Sequence, residues 1–369
     1  MFIRDSVESY VNSLTPIPTA ILTGFLGAGK TSLLNTLLKD PVLANACVVI
    51  NEFGEIGIDH LLVEKSDDNI VELAAGCLCC TIRGDLINTL SDLIARRDAG
   101  TIKAFDRIVI ETTGLADPAP VLHALMRDEL LLHRLRLEGV ITAVDGVNGW
   151  ATLDAHPEAL KQVAVADRIV LTKLDLLHGI EGEDKMFAII GRLRKLNPTA
   201  RLLTTHRGEA TAERLFTMGL FDATTKTPNV QAWLNDEALM RHEHHHDVSR
   251  HDAHIRSFAL REVNAISPQG LELFFELLSN FHGANMLRMK GLIKVSDDPS
   301  RPLAVHGVQH VFHPPVRLAA WPDGVDETRL VFIVKDIAKA EIENLFKAFT
   351  DQISGGAAAF TDKTLSLQR

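Results

Sequence analysis

The chain has 369 residues, 46% of them hydrophobic and 23% charged, with a net charge of −10. At roughly 100–200 residues per domain this is a two-domain protein with ample core, and wholesale disorder is excluded. The acidic balance excludes a general nucleic-acid binder, which needs a basic surface, yet leaves room for one nucleotide in a local site.

Residues 1–17 read as a short extension ending at the Pro16 and Pro18 punctuation. Arg4, Asp5 and Glu8 are followed by no apolar run, so no secretory signal is expected, and the expected compartment is the cytoplasm. The longest stretch without Asp, Glu, Lys or Arg, Ser9 to Gly29, holds Asn12, two prolines and three glycines, so no membrane span is expected. From Thr19 onward, short apolar runs alternate with helix-period segments. The strand-like runs are Ala20–Thr23, Cys47–Asn51, Ile70–Leu73, Arg107–Glu111, Val140–Asp145, Arg168–Thr172 and Arg201–Thr204. Between them lie helical segments at Ser32–Lys39, Leu86–Arg96, Pro118–Met126, Pro157–Ala166 and Met186–Leu196. In the first of these, Leu33, Leu34, Leu37 and Leu38 share one face. Such alternation predicts βαβ units: an α/β domain with a mainly parallel sheet and helices on both faces, over residues 18–222.

A Thr-, Asp- and His-rich stretch, 223–254, reads as a linker. A second unit over 255–350 has strands at Ile255–Val263, Met286–Val295, Ala304–Phe312, Val316–Ala320 and Arg329–Val334, with helices at Pro268–Phe281 and Ile337–Phe349. Consecutive strands without helices between them predict a smaller α+β domain with an antiparallel sheet. Residues 351–369 read as a loose tail.

The sharpest motif is Gly24-Phe25-Leu26-Gly27-Ala28-Gly29-Lys30-Thr31, followed by Ser32: a G-x4-G-K-T phosphate loop between a strand and a helix. Its glycines bring backbone N–H groups to the phosphates, and the helix dipole favours the anion. Lys30 reaches the β- and γ-phosphates, and the Thr31 hydroxyl can ligate Mg²⁺. Arg107–Glu111 ends in Glu111-Thr112-Thr113-Gly114, where Glu111 can position Mg²⁺ through its waters and the Gly114 N–H can meet the γ-phosphate. Thr172-Lys173-Leu174-Asp175 ends another strand as a guanine motif. The Asp175 carboxylate accepts from the two donors on the guanine edge, which adenine lacks, and the Lys173 stem covers the base. Thr204-Thr205-His206 is the expected last loop over the base. Asn51-Glu52-Phe53-Gly54-Glu55 lies where a switch loop would lie, with Glu55 and Asp59 able to touch Mg²⁺, the attacking water or a second metal.

Three of the four cysteines fall within four residues: Cys77, Cys79 and Cys80. In a chain without a signal this reads as a thiolate metal site, with Zn²⁺ the default ion and Co²⁺ an alternative, against the alternatives of buried core cysteines or a redox site. Three thiolates leave one tetrahedral position for Glu55, a histidine, water or a partner. Cys47, beside Val48, Val49 and Ile50, reads as core. His242, His244, His245, His246, His251 and His254 make the linker a metal-binding segment or a solvated polar tether with equal weight.

With GFLGAGKTSLLN (24–35), NEFGEIGID (51–59), GCLCC (76–80), ETTGLADP (111–118) and TKLD (172–175), together with LRMKG (287–291), HGVQH (306–310) and RLVFIVKD (329–336), the chain resembles the CobW-type P-loop GTPases, a family of zinc and cobalt handling proteins. The resemblance spans about residues 19–350. It implies that 24–32 hold the phosphates of GTP or GDP, Lys173 and Asp175 the guanine, and Cys77, Cys79 and Cys80 the metal, with Glu55 the matching acidic ligand. It also implies a GTP phosphohydrolase acting as a metallochaperone toward a client metalloprotein. The sequence departs from eukaryotic members by lacking an N-terminal C-P-E-L-V-P-like segment, and Thr172 stands where others have Asn. Competing readings are an accessory factor for one metal cofactor, such as cobalamin or a metal hydratase, and a metal-buffering module with a vestigial nucleotide site. A P-loop kinase is more distant, because it has no role for Asp175 or GCLCC.

Overall fold

The computed structural model describes residues 15–51, 70–72, 81–216, 254–322 and 324–350. Glu55, Asp59, Cys77, Cys79, Cys80, the tail, and the linker histidines other than His254 lie outside the described residues. Seven strands form the first sheet: β1 (Ile17–Gly24), β2 (Ala46–Asn51), β3 (Ile70–Glu72), β4 (Arg107–Thr112), β5 (Leu135–Asp145), β6 (Arg168–Thr172) and β7 (Arg201–Thr204), in the order β3-β2-β4-β1-β5-β6-β7. Every neighbouring pair is parallel. Burial on both faces explains why these strands are near-continuous apolar runs.

Successive strand residues point to opposite faces. Leu22, Val48, Val109, Ile141 and Val170 pack with α1 (Lys30–Leu37) and α8 (Ala212–Phe216). On the other face, Ile21, Val49, Ile108 and Ile110 pack beneath α2 (Thr81–Asp98), α3 (Ala119–Arg127) and α4 (Glu129–Arg134). That same face continues under α5 (Gly149–Ala155), α6 (Pro157–Ala164) and α7 (Gly179–Leu196), which cover Val144, Ile169 and Leu171. As the spacing predicts, α1 buries Leu33, Leu34 and Leu37.

In the first sheet β1 begins three residues before the expected Ala20, and β5 departs furthest from its expected limits. β5 begins at Leu135, five residues before Val140, where Arg136 and Glu138 break the apolar pattern. Glu138 is the extra residue of a bulge, since Thr19 pairs Leu137 and Ala20 pairs Gly139. Its charge is met by Arg107 of β4, an inter-strand partner that period-2 reading cannot see.

The second sheet is antiparallel. It contains β8 (Ile255–Glu262), β9 (Met286–Ile293), β10 (Leu303–Val308), β11 (Val311–Phe312), β12 (Val316–Arg317) and β13 (Thr328–Lys335), in the order β11-β10-β9-β13-β8 with β12 also on β10. α9 (Pro268–His282) and α10 (Lys339–Thr350) pack on it through Phe274, Leu278, Ile342 and Phe346. Ser267 caps α9 by accepting the Gly270 N–H at 3.0 Å, with Pro268 at the first helical position. The single strand expected over Ala304–Phe312 is two strands joined by a tight turn, where Gln309 takes a left-handed φ of 53°.

The two sheets meet through a buried ionic cluster. Asp167, just before β6, accepts the Val140 N–H at 2.9 Å and the guanidinium of Arg288 on β9. The Lys290 ammonium stands 4.0 Å from the same carboxylate. Burial opposes ionisation of Asp167, but Arg288, Lys290 and the Val140 N–H outweigh it and hold the carboxyl well below the usual carboxylate range. Beside them His306 is buried and stacked on His313, with ring centroids 5.6 Å apart. Burial first, then His313 and Arg288, push the His306 imidazole down to about 3.

Both groups bind fewer protons folded than unfolded. For His306, stability is therefore fully present above about pH 6.5 and is lost progressively as pH falls toward 3, at roughly 1.4 kcal/mol per pH unit. Urea denaturation at pH 6.5 and pH 5 should show the wild type losing about 2 kcal/mol more than His306→Gln over that interval.

Candidate functional site at the strand ends

A parallel sheet puts all its strand C-termini on one edge, and the chain crosses that edge on both sides of β1, where ligands bind in such folds. The phosphate loop leaves β1 at Gly24, whose φ is 145° and where a Cβ would lie 2.4 Å from the Ala143 carbonyl of β5. Only glycine fits there. The loop closes through Ala28 N–H to Phe25 O at 3.0 Å. Gly29, at a left-handed φ of 84°, starts α1, and its carbonyl accepts the Leu33 N–H at 2.9 Å. Leu26 and Gly27 are exposed, while the Lys30 side chain is buried. The first turn of α1 thus faces the loop with its N-terminal amides and a cation, which suits a phosphate.

β4 brings Glu111 to the same turn. The Thr31 hydroxyl donates to the buried Glu111 carboxylate at 3.1 Å. Next to it the Thr112 hydroxyl meets that of Thr23 at 2.8 Å, joining β4 to β1. Gly114 then passes against the phosphate loop, where a Cβ would lie 2.6 Å from the Leu26 nitrogen. Gln162 of α6 holds this segment from beneath, donating to Gly114 O at 3.1 Å and Ala116 O at 3.0 Å.

β6 brings the third group. The Thr172 hydroxyl lies 2.7 Å from Ala28 O and 3.2 Å from Val144 O, tying the end of β6 to the phosphate loop and to β5. Lys173 adopts a left-handed φ of 57° and its ammonium donates to Asp145 at 2.8 Å. Asp175 stands exposed in the single turn Leu174–Leu176. The loop after β7 is anchored beside it, with Thr205 N–H on Leu171 O at 2.9 Å.

The structure therefore brings together Gly24, Phe25, Leu26, Gly27, Ala28, Gly29, Lys30, Thr31, Ser32, Glu111, Gly114, Thr172, Lys173 and Asp175 along one edge. Thr31 and Glu111 supply hard oxygen donors side by side, a set that suits a small divalent cation. Cys77, Cys79, Cys80 and Glu55 lie outside the described residues. Among the described residues, no group of three or more His, Cys, Asp or Glu gathers as a metal site. His254 pairs with Asp336 at the start of the second unit. Sequence reasoning missed Gln162 and Asp145. Gln162 carried no motif. Asp145 carries the same sequence signal as Glu111, a carboxylate ending an apolar strand.

A phosphate loop between β1 and α1, with a guanine-type loop ending β6 on the same edge, defines a P-loop nucleotide-binding protein. The chain belongs to the CobW/HypB/UreG family: the family's nucleotide-binding domain matches residues 18–203, and the cobalamin synthesis protein cobW C-terminal domain matches 255–350. Zinc chaperone YjiA of Escherichia coli is 31% identical over 333 residues, covering 90% of this chain and 98% of that protein. Zinc chaperone CobW of Pseudomonas aeruginosa is 31% identical over 367 residues, covering 90% and 92% respectively. The crystal structure of Zn(II)-bound YjiA GTPase from E. coli superposes with a TM-score of 0.65 at 27% identity, covering 91% of this chain and 99% of that one.

Gly114→Ala should force the phosphate loop to move, because the new Cβ meets the backbone of Leu26. Nucleoside triphosphate turnover, read as phosphate release, should fall on the order of a hundredfold for a displacement of about 1 Å. Gly191→Ala, on α7 with nothing within 4 Å of the added carbon, should leave turnover unchanged.

Proposed function

We propose that this chain is a GTP-hydrolysing metallochaperone that binds zinc at Cys77, Cys79 and Cys80 and passes it to a client metalloprotein under control of the bound nucleotide. The observation that carries the reading is convergence. The phosphate loop, the Thr31–Glu111 pair and the Thr172–Asp175 loop meet on one edge of the sheet. β3 ends on that edge at Glu72, and α2 begins at Thr81, so in sequence the cysteine run lies between a strand of that sheet and a helix packed on it. The names of the relatives, zinc chaperone and zinc-regulated GTPase metalloprotein activator, support the same reading.

Lys30 and the α1 amides hold the phosphates, and Asp175 reads the guanine edge. Thr31 and Glu111 would hold Mg²⁺, which when bound neutralises charge on the β- and γ-phosphates. The Gly114 segment lies against Leu26 and so senses whether a γ-phosphate fills the loop. Glu55 completes the zinc shell in this reading, and cobalt, another ion suited to thiolates, is the spectroscopic substitute. We place residues 18–222 in the nucleotide-binding domain, 223–254 in a His-rich linker and 255–350 in the second domain, and the protein in the cytoplasm. Among the described residues no helix is long and apolar enough to cross a membrane.

GTP should bind more tightly than ATP, and Asp175→Asn should weaken guanine nucleotides by roughly 1–3 kcal/mol through mismatched donors. Calorimetric titration with both nucleotides checks this, and equal affinities in the wild type contradict the assignment.

Cobalt titration should show one tetrahedral thiolate equivalent per chain, lost in the Cys77→Ser, Cys79→Ser, Cys80→Ser variant, with affinity falling at acid pH as the thiols protonate. Exchanging GDP for a non-hydrolysable GTP analogue should change that affinity by a typical coupling factor of ~5–150. An unchanged affinity rejects the chaperone mechanism and leaves only a metal site.

A further inference from the structure

We propose that Asp145 is a positioning residue for nucleotide recognition: it holds Lys173 in the one geometry in which its stem can cover the base. The inference rests on the guanine-nucleotide reading above and adds to it a residue outside the motifs.

Asp145 ends β5 and is buried. Its Oδ1 accepts the backbone N–H groups of Val147 at 2.8 Å and Asn148 at 3.0 Å, which fixes the carboxylate in an Asx-type turn. Its Oδ2 accepts the Lys173 ammonium at 2.8 Å, with the Asn148 amide 3.3 Å away. Burial opposes its ionisation, yet Lys173 and the two backbone N–H groups outweigh that and lower the carboxyl below its ordinary value. The carboxylate is thus held ionised and fixed by partners within the chain.

The backbone beneath Lys173 agrees. A left-handed lysine costs about 1 kcal/mol and persists only where its surroundings impose it. Gly146, next to Asp145, donates its N–H to Thr172 O at 2.9 Å. A Cβ at Gly146 would strike that oxygen at 2.9 Å and the Leu174 side chain at 2.5 Å, so the β5 loop presses directly against the base loop. Lys173 is gripped from both ends, its backbone by the Gly146 contact and its head by Asp145. A lysine stem loses rotamer freedom when it lies against a base, and the Asp145 pair removes that freedom beforehand.

The test uses the full chain and measures GDP affinity by calorimetry and steady-state GTP hydrolysis. Asp145→Asn keeps a carbonyl oxygen for the Val147 and Asn148 N–H groups while removing the charge that holds Lys173. The GDP dissociation constant and KM should rise on the order of tenfold with kcat nearly unchanged, since the base is remote from the reacting phosphate. In a Lys173→Ala background the same substitution should have no further effect on GDP affinity, because its partner is gone. Asp145→Asn acting equally in both backgrounds would make Asp145 a mere scaffold of its own loop and overturn the proposal. Unchanged affinity in the single variant would also overturn it, while wild-type binding keeps the guanine reading intact. A wild type that binds no guanine nucleotide overturns both. Should the variant lose its fold by circular dichroism, Lys173→Met decides: a GDP affinity equal to wild type shows there is no gripped lysine to position, and overturns the proposal, whereas a tenfold loss supports it.

Discussion

The Thr172 hydroxyl is the point on which the site depends. It lies within hydrogen-bond reach of carbonyls in the phosphate loop and at the end of β5, so three separate strands end in one fixed constellation. A side chain as short as threonine can do this only because parallel pairing brings β1, β5 and β6 out at the same level, with Leu22 opposite Ile141 and Val144 opposite Leu171. Slip of one residue in any of these registers would also turn buried apolar residues to the wrong face, so the core that stabilises the sheet specifies the site's geometry as well.

The second domain is joined to this arrangement by charge as well as by packing. Arg288 and Lys290 leave an antiparallel strand and meet Asp167 directly before β6, the strand that carries the Thr172–Asp175 loop. Charges removed this far from water are tolerated only when paired and hydrogen-bonded, and loss of one partner leaves the other buried without compensation. The second domain also reaches α3, where His123 meets the Val308 carbonyl at 3.0 Å. Both β6 and α3 are therefore tied directly to the second domain.

Close backbone contact is the other recurring device. Gly24 against Ala143, Gly114 against Leu26 and Gly146 against Thr172 each bring two backbone segments at the strand ends nearer than any side chain permits. Segments packed this tightly do not deform independently. A phosphate, a base or a cation that displaces one must displace its neighbours, which is the physical requirement for coupling between sites.

The elements themselves were legible in the sequence. Two-sided burial leaves apolar runs such as Ile108–Ile110 and Ile169–Leu171, and one-sided burial leaves the leucine stripe of α1, so local patterning carried the parallel domain. The phosphate and guanine motifs were legible for a related reason: each draws its chemistry from consecutive residues in one strand-to-loop connection. What the sequence could not decide depends on partners distant in the chain. The early start of β5 needs Arg107 to meet Glu138, and the break between β10 and β11 needs a turn at Gln309 that apolar periodicity passes over. The gathering of Arg288, Lys290 and His306 around Asp167, and the grip of Asp145 on Lys173, exist only once strands remote in sequence lie side by side. Local pattern reports what each segment buries, and tertiary structure alone determines which charged side chains face one another across the buried surfaces.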